Sequence, residues 1–144
     1  MEPYPDIVGH DGMDALREVA RPLHGARIAH VNATAYGGGV SELLRSVVPL
    51  YRALEIDADW LVIPGQEDFF EITKGVHNAL QGADFDWTED AKASYLAHNE
   101  TVAALLTEKY DFVVVHDPQP APLRHFRGRD GALWIWRCHI DTSE

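Results

Sequence analysis

The sequence predicts an α/β protein, a Rossmann-like open parallel sheet with flanking helices. Four short apolar runs with strand character alternate with segments whose apolar residues recur at three- and four-residue steps, as amphipathic helices require. A loop of three glycines separates the first predicted strand from the first long helix. Three of the four predicted strands end in polar residues, which is typical of sheets that bind ligands at the carboxyl ends of their strands.

The composition narrows the classes of function. The chain has 144 residues, enough for one domain with a substantial core, and its net charge is −11 before its 8 histidines are counted. An acidic chain without a basic cluster argues against nucleic acid or a membrane surface as a partner. No apolar run approaches the roughly 20 residues of a membrane span, and the first residues lack a signal-peptide core. Cys138 is the single cysteine, so no internal disulfide is expected and a cytoplasmic setting fits best.

Residues 1–25 are predicted to form a helical lead-in to the sheet. Residues 1–11 contain two of the prolines and are expected to be extended. Asp11 or Asp14 is then expected to cap a short helix that continues to Leu23, and the His-Gly pair that follows ends it.

The first β-α unit surrounds the glycine loop. Strand one is predicted at Ala26–Val31, and the helix after the loop is predicted to run from Val40 to Leu54. Because Pro49 lies inside that helix, we expect a kink or an irregular turn there.

The second β-α unit begins at Ala58–Ile63, a continuous apolar run that predicts a strand buried on both faces. The Pro-Gly pair that follows stops this strand. A helix is predicted over Glu67–Gln81, and a loop over Gly82–Trp87.

The last third of the chain is predicted to contain two strands and two helices. Thr88 is expected to cap a long helix that reaches about Lys109. Strand three is predicted at Phe112–Val115, followed by a short helix to about Arg127 and strand four at Leu133–Cys138. Strands that alternate with helices in this way imply parallel pairing with right-handed crossovers.

The polar residues at the strand ends are expected to converge. They are Asn32 after strand one, His116 and Asp117 after strand three, and His139 and Asp141 after strand four. The carboxyl ends of parallel strands meet at one edge of a sheet, so these residues should line one crevice. Doubly wound sheets usually have five or six strands, so we expect this chain to be part of a longer protein.

The glycine loop, Gly37–Gly39, precedes a helix and suits an anion. The first N–H groups of a helix have no partner within the helix and lie at the positive end of its dipole, where phosphate commonly binds. The loop has neither the Gly-x-Gly-x-x-Gly pattern nor the Gly-Lys-Ser/Thr of a P-loop. A tight turn that needs positive φ angles is the alternative interpretation.

Four blocks of sequence together carry a family resemblance. They are residues 31–40 (VNATAYGGGV), residues 69–74 with 77–82 (FFEITK and HNALQG), residues 115–120 (VHDPQP) and residues 136–141 (WRCHID). Over most of residues 26–141 the chain resembles the trehalose-forming retaining glycosyltransferases, which comprise the trehalose glycosyltransferring synthases and the related trehalose phosphorylases.

The resemblance implies the N-terminal half of a two-domain GT-B enzyme, whose active site lies between two Rossmann-like domains. Residues 26–144 would be a truncated N-terminal, acceptor-side domain. The C-terminal domain, which in the family holds the nucleotide and supplies the basic residues that stabilise the leaving phosphate, is absent from this sequence.

The resemblance also assigns roles to particular residues. Gly37, Gly38 and Gly39 would face the donor diphosphate and sugar, His139 would lie beside the donor sugar, and Asp117 would hold the acceptor sugar. The alternative for His139 is a strand-end side chain bonded to a neighbouring carbonyl, and the alternative for Asp117 is an Asx-turn before proline.

Three further residues are candidates for contact with the acceptor glucose. Lys74, His77 and Asn78 lie at three- and four-residue steps and therefore share one helix face. A merely solvated face is the alternative. His116 is interpreted as a strand cap. The histidines show no His-x-x-x-His or Cys-His spacing, so no metal ligand is assigned.

By this resemblance, the full-length parent would be a retaining hexosyltransferase that transfers glucose from an NDP-glucose to glucose and forms trehalose. UDP-glucose or ADP-glucose would be the donor substrate, with no tightly bound cofactor and no essential metal. The expected partners are glucose, the nucleotide sugar and the missing domain, with self-association through the edge beyond strand four. The chain alone is expected to be inactive. Trehalose phosphorylase and a non-catalytic sugar-binding or regulatory domain are the alternatives.

Overall fold

A computed structural model describes residues 4–142 and contains a four-stranded parallel sheet flanked by helices. The strands are β1 (Arg27–Asn32), β2 (Asp57–Val62), β3 (Phe112–His116) and β4 (Leu133–Arg137). The helices are α1 (Tyr4–Ala20), α2 (Gly39–Ala53), α3 (Glu67–Leu80), α4 (Glu89–Leu105) and α5 (Leu123–Arg127), with a 3₁₀ turn at Arg21–Leu23. The predicted α/β class and the parallel sheet are confirmed.

The strand order β2-β1-β3-β4 creates a topological switch point between β1 and β3. The chain leaves β1 through α2 to β2 on one side, then returns through α3 and α4 to β3 on the other side. Ligands of open α/β sheets bind in the crevice outside such a switch point. The loops that follow β1 and β3 carry the three glycines and Asp117, so the fold brings both to this crevice.

Each face of the sheet has its own apolar core. On one face, Ala29, Val31, Val113 and Val115 pack with residues of α3, α4 and α5. On the other face, Ile28 packs with residues of α1 and of the segment that follows α2. Alternate strand residues point to opposite faces, which is why a few strands of mostly apolar residues can hold helices on both sides.

The N-terminal segment differs from its prediction. Residues 1–11 were expected to be extended, but α1 begins at Tyr4, and Pro5 lies in the first turn where its missing N–H is tolerated. The backbone angles of Gly9 (φ 76°, ψ 168°) are not helical, so α1 has a kink there, and helical residues continue on both sides of it. Asp14 lies within α1 and bonds to Arg17 at 2.8 Å, so it does not cap a helix start.

Strand β2 was predicted to be buried on both faces, and this is wrong. β2 pairs only with β1 among the described residues, so it is an edge strand. Ala58 is fully buried, whereas Trp60 and Leu61 are half-buried and Val62 is 41% exposed. An apolar run alone does not distinguish a central strand from an edge strand, because strand order depends on the crossovers.

Helix α4 begins at the predicted cap residue but ends earlier than predicted. Thr88 caps α4 as predicted, and its Oγ1 accepts the Ala91 N–H at 3.1 Å. The helix ends at Leu105 rather than near Lys109, because Leu106 leaves the helical conformation and its carbonyl accepts from Arg127 of α5.

Helix α2 continues across Pro49, so the irregular turn expected there does not interrupt it. Within residues 4–142, no helix has the length and apolar composition that crossing a bilayer requires.

Candidate active site

An open cleft with a volume of about 620 Å³ lies at the carboxyl ends of β1, β3 and β4. We call it the main cleft. Its lining includes Asn32, Thr34, Gly37, Gly38, Gly39, Ser41, His77, His116, Asp117, Gln119 and His139. The strand-end residues predicted to converge therefore do so, apart from Asp141, which is not among the lining residues.

The glycine loop forms the wall of the main cleft at the start of α2. Gly37 and Gly38 have φ angles of 69° and 104°, which side chains rarely allow. The predicted alternative, a turn that needs positive φ, is thus observed at these two positions. Gly39 has no such φ angle, and a Cβ there would meet nothing within 4 Å. Neither strain nor packing explains that third glycine.

The N-terminus of α2 is open toward the main cleft. Gly38 is its N-cap residue and provides no side-chain capping bond. The Ser41 hydroxyl donates to the Gly38 carbonyl at 2.9 Å instead of accepting an amide N–H. The first amides of the helix are therefore left without a side-chain cap, at the end of the dipole that attracts anions.

Asn32 fixes the turn that leads from β1 into the glycine loop. Its side chain is 2% exposed. Nδ2 donates to the Thr34 carbonyl at 2.7 Å, and Oδ1 accepts the Trp60 indole N–H at 2.8 Å. Because its NH₂ group and its oxygen both form hydrogen bonds within the chain, Asn32 stabilises the shape of the cleft wall.

Asp117 connects the ends of β3 and β4. It adopts a left-handed conformation (φ 63°), and its N–H donates to the Arg137 carbonyl at 3.0 Å. Its Oδ1 accepts the backbone N–H of His139 at 2.7 Å, and its carbonyl accepts the Trp136 indole N–H at 3.0 Å. The carboxylate therefore holds His139 in place, a bond different from the Asx-turn considered from the sequence.

The loop after Asp117 is supported from α4. The Tyr95 hydroxyl donates to the Pro118 carbonyl at 2.5 Å, and Asn99 Nδ2 donates to the Gln119 carbonyl at 3.2 Å. Tyr95 is buried, and burial raises the pKa of its phenol, so it stays a neutral donor. These bonds hold the loop against the helix, which limits movement of this side of the cleft.

Three histidines form a continuous chain of ring contacts that ends at the cleft. His30 Nδ1 lies 3.0 Å from His116 Nε2, and His116 Nδ1 lies 2.8 Å from His139 Nε2. His30 and His116 are buried, at 3% and 1% exposure, and His139 is exposed. Burial, with the positive charge of Arg137, lowers the pKa of His30 to about 4. Burial, the two neighbouring histidines and Arg137 lower the pKa of His116 to about 3.

A second pocket, with a volume of about 420 Å³, adjoins the main cleft. It is lined by Phe70, Thr73, Lys74, His77, Asn78 and Gln119. His77 and Gln119 line both spaces. The three residues that the sequence places on one helix face, Lys74, His77 and Asn78, thus lie together beside the strand-end residues.

The charge of the main cleft is unusual for a site that would face phosphate. Among the described residues that line it there is no lysine or arginine, and Asp117 contributes a carboxylate. Within residues 4–142, no group of three or more His, Cys, Asp or Glu side chains has the arrangement needed to hold a metal ion. Positive potential from this chain comes from backbone amides and the dipole of α2.

The role of His30 was missed from the sequence. His30 was treated as a strand residue and His116 as a strand cap, but the structure joins them to His139. The available signal was the occurrence of a histidine in or after each of three strands. Using it would have required the order in which those strands pair, which no local pattern reveals.

The chain is similar in sequence to known proteins. Residues 30–144 match the family model described as the trehalose synthase N-terminal domain. The chain is 47% identical over 145 residues to a trehalose synthase from Rubrobacter xylanophilus, covering 97% of this chain and 35% of that protein. It is 44% identical over 146 residues to a trehalose synthase from Thermococcus litoralis, covering 100% of this chain and 35% of that protein.

A more distant match is a trehalose phosphorylase from Grifola frondosa. It is 30% identical over 84 residues, which cover 57% of this chain and 12% of that protein. The chain spans about a third of the length of the trehalose synthases that it matches.

Proposed function

Because the chain belongs to the family of the trehalose synthase N-terminal domain, we propose that its main cleft is one wall of a glycosyltransferase active site. The reaction is transfer of glucose from UDP-glucose or ADP-glucose to free glucose, with retention at the anomeric carbon, which gives trehalose. The observation that carries the proposal is the meeting of the glycine loop, Asp117 and His139 at the switch point of the sheet.

The donor side of the proposal rests on the open N-terminus of α2. The uncapped amides would face the diphosphate of the donor and stabilise negative charge as the phosphate leaves. Gly39 supports this assignment, because the chain itself gives no conformational or packing reason for a glycine there. A residue without a side chain allows a ligand to approach the main chain closely.

His139 would lie beside the transferred sugar. Transfer with retention on one face of the sugar needs no protein nucleophile, and the active site then contributes positioning and charge stabilisation. The bond from its backbone N–H to Asp117 and the bond from its ring to His116 hold this side chain from two directions. Such constraint suits a group that must contact one sugar oxygen with fixed geometry.

The acceptor side of the proposal comprises Asp117 and the second pocket. Asp117 Oδ1 is occupied by the His139 N–H, and the carboxylate retains further acceptor sites for sugar hydroxyls. Lys74, His77 and Asn78 provide donors and acceptors within the adjoining pocket. Glucose held there would have its attacking hydroxyl directed into the main cleft.

The described residues that line the main cleft include no lysine or arginine, and we infer that a second wall completes the site. A departing nucleoside diphosphate carries negative charge that backbone amides alone stabilise incompletely. Since the trehalose synthases that this chain resembles are about three times as long, we assign the missing cations to a C-terminal donor-binding domain. The chain alone should then bind sugar weakly and transfer none.

Trehalose phosphorylase is the second candidate, since one relative over 84 residues carries that name. In a phosphorylase, inorganic phosphate would take the place of the nucleoside diphosphate. It would be the leaving group when trehalose is formed and the attacking group when trehalose is cleaved. The glycine loop serves either chemistry, because both require an anion site at the same place.

The test uses a chimera in which this chain replaces the matching third of the Rubrobacter xylanophilus trehalose synthase. We expect the chimera to form trehalose from glucose and UDP-glucose or ADP-glucose, and the isolated chain to form none. Trehalose with inorganic phosphate is supplied in a separate assay, where glucose 1-phosphate would identify the phosphorylase. The unmodified relative is the control for expression and folding.

Two results would contradict the proposal. One is a folded chimera that hydrolyses no donor and forms no trehalose while the unmodified relative is active. The other is trehalose formation by the isolated chain at the rate of the chimera, which would show that one wall is enough.

A further inference from the structure

The three histidines follow the register of the parallel sheet. His30 pairs with Val114 of β3, and His116 lies two residues farther along that strand on the same face. His116 pairs with Arg137 of β4, and His139 lies two residues beyond it. The rings therefore form a diagonal row across β1, β3 and the end of β4, from the core to the cleft.

Two orders of protons suit the ring contacts of this row. A neutral imidazole has one N–H and one acceptor nitrogen, so the two contacts must run in the same direction. If His30 donates from Nδ1, then His116 donates from Nδ1 and His139 accepts at Nε2. In the opposite order His139 donates from Nε2, and the last proton lies on His30 Nε2.

The burial of His30 Nε2 distinguishes these orders. That atom is buried and has no hydrogen-bond partner. In the first order it is an acceptor without a donor, whereas in the second it is a buried N–H without an acceptor. Among backbone groups, a buried N–H without an acceptor is rarer than a buried carbonyl without a donor, and we apply the same order to the two nitrogens of this ring. The first order is therefore favoured, with every ring protonated at Nδ1.

We propose that His30 and His116 are positioning residues that fix His139 as its Nδ1–H tautomer, so that His139 presents an N–H donor, and no acceptor, to the main cleft. The use of that donor toward an oxygen of the glycosyl donor rests on the proposed function. The tautomer itself does not, because it is inferred from the ring contacts and from the buried, unpartnered Nε2 of His30.

The groups around the row keep the buried rings neutral. Arg137 on β4 lowers the pKa of both His30 and His116, and burial acts in the same direction. From α2, the Tyr51 ring lies 5.5 Å from the His30 ring. The Asp117 carboxylate contacts the backbone N–H of His139. With one proton on each buried ring, the two ring contacts must donate in the same direction along the row.

The test measures tautomers by NMR on the ¹⁵N-labelled 144-residue chain at pH 8, where neutral imidazole predominates. Two-bond proton–nitrogen correlations show which nitrogen of each ring carries the proton. We expect Nδ1–H for His30, His116 and His139. In His116→Leu, which removes the donor to His139 Nε2, we expect His139 to shift toward the Nε2–H form.

The control is His98→Leu. His98 lies in α4, its ring stacks on Phe69 at 3.8 Å between centroids, and it contacts none of the three histidines. This variant should leave the tautomer of His139 unchanged.

An Nε2–H form of His139 in the unmodified chain overturns the proposal, and so does a tautomer that stays the same in folded His116→Leu. A second measurement needs no variant. The hydrogen bond from His116 Nδ1 should give a measurable nitrogen–nitrogen coupling to His139 Nε2, and its absence also overturns the proposal. Turnover is not measured, so these outcomes are independent of the glycosyltransferase assignment.

Discussion

Asp117 contributes in two ways that substitution can separate. Its Oδ1 accepts the His139 N–H, and under the proposed function the rest of the carboxylate holds the acceptor sugar. Its φ angle of 63° is tolerated by aspartate and asparagine but strained for alanine. An asparagine side chain at this position keeps an oxygen that can accept from His139 and tolerates the left-handed conformation. The substitution removes the negative charge and replaces the second acceptor oxygen with an NH₂ donor.

We therefore expect Asp117→Asn, made in the chimera, to lower kcat/KM for glucose about 10- to 100-fold, since a hydrogen bond to a charged group contributes about 1.5–3 kcal/mol. Donor hydrolysis by water should change little. Asp117→Ala should reduce both reactions, because it also releases His139. Asp57→Asn, at the opposite end of the sheet, is the matched control. Equal losses in transfer and hydrolysis for Asp117→Asn, with an unchanged KM for glucose, would contradict the acceptor assignment.

His30 and His116 also predict how stability depends on pH. Their folded-state pKa values are about 4 and 3, below the ordinary value of about 6.5 for histidine in the unfolded chain. The unfolded chain therefore binds more protons as the pH falls below 6.5. The stabilisation is complete above that pH and is lost on acidification toward pH 4, with a limiting slope of about 1.4 kcal/mol per pH unit for each histidine.

Urea unfolding at pH 7.5, 6.5, 5.5 and 4.5 measures this dependence. His30→Leu should lower the slope by the equivalent of one proton. If the free energy of unfolding of the unmodified chain is constant between pH 6.5 and pH 4.5, the two buried rings do not remain neutral in the folded state.

At the scale of elements, local chemistry was predicted well from the sequence. Thr88 was identified as a cap because its side chain supplies the missing acceptor for an amide of α4, a requirement met within three residues. Positive φ angles were the alternative interpretation of the glycine loop, and they occur at Gly37 and Gly38. The convergence of Asn32, Asp117 and the glycine loop followed from parallel strands alone.

Features that depend on strand order were not predicted. Burial of β2 was overestimated because an apolar run does not reveal that β2, among the described strands, pairs only with β1. The row of histidines was missed because His30 and His116 become neighbours only through the β1–β3 pairing. The start of α1 was missed because the prolines of residues 1–11 were interpreted as a sign of extended backbone, whereas Pro5 is tolerated in the first turn of a helix.

At the scale of the whole molecule, the two edges of the sheet differ in character. The β2 edge carries carboxylates at Asp57 and Asp59, which discourage pairing between copies of an acidic chain. The β4 edge is apolar, with Leu133, Ile135 and Trp136 exposed by 59%, 43% and 54%. Within residues 4–142, β4 pairs only with β3. Association between copies should therefore use β4.

We expect the chain to self-associate at about 100 μM, the range in which exposed apolar edges form weak contacts. Ile135→Lys should restore a monomer, because a charge on an exposed edge strand disfavours strand pairing. Val62→Lys on β2 is the matched control, since Val62 is 41% exposed and Ile135 is 43% exposed. Sedimentation velocity across a dilution series distinguishes the variants. A monomer for the unmodified chain at that concentration would show that the β4 edge is protected, and association abolished by Val62→Lys instead would place the contact on β2.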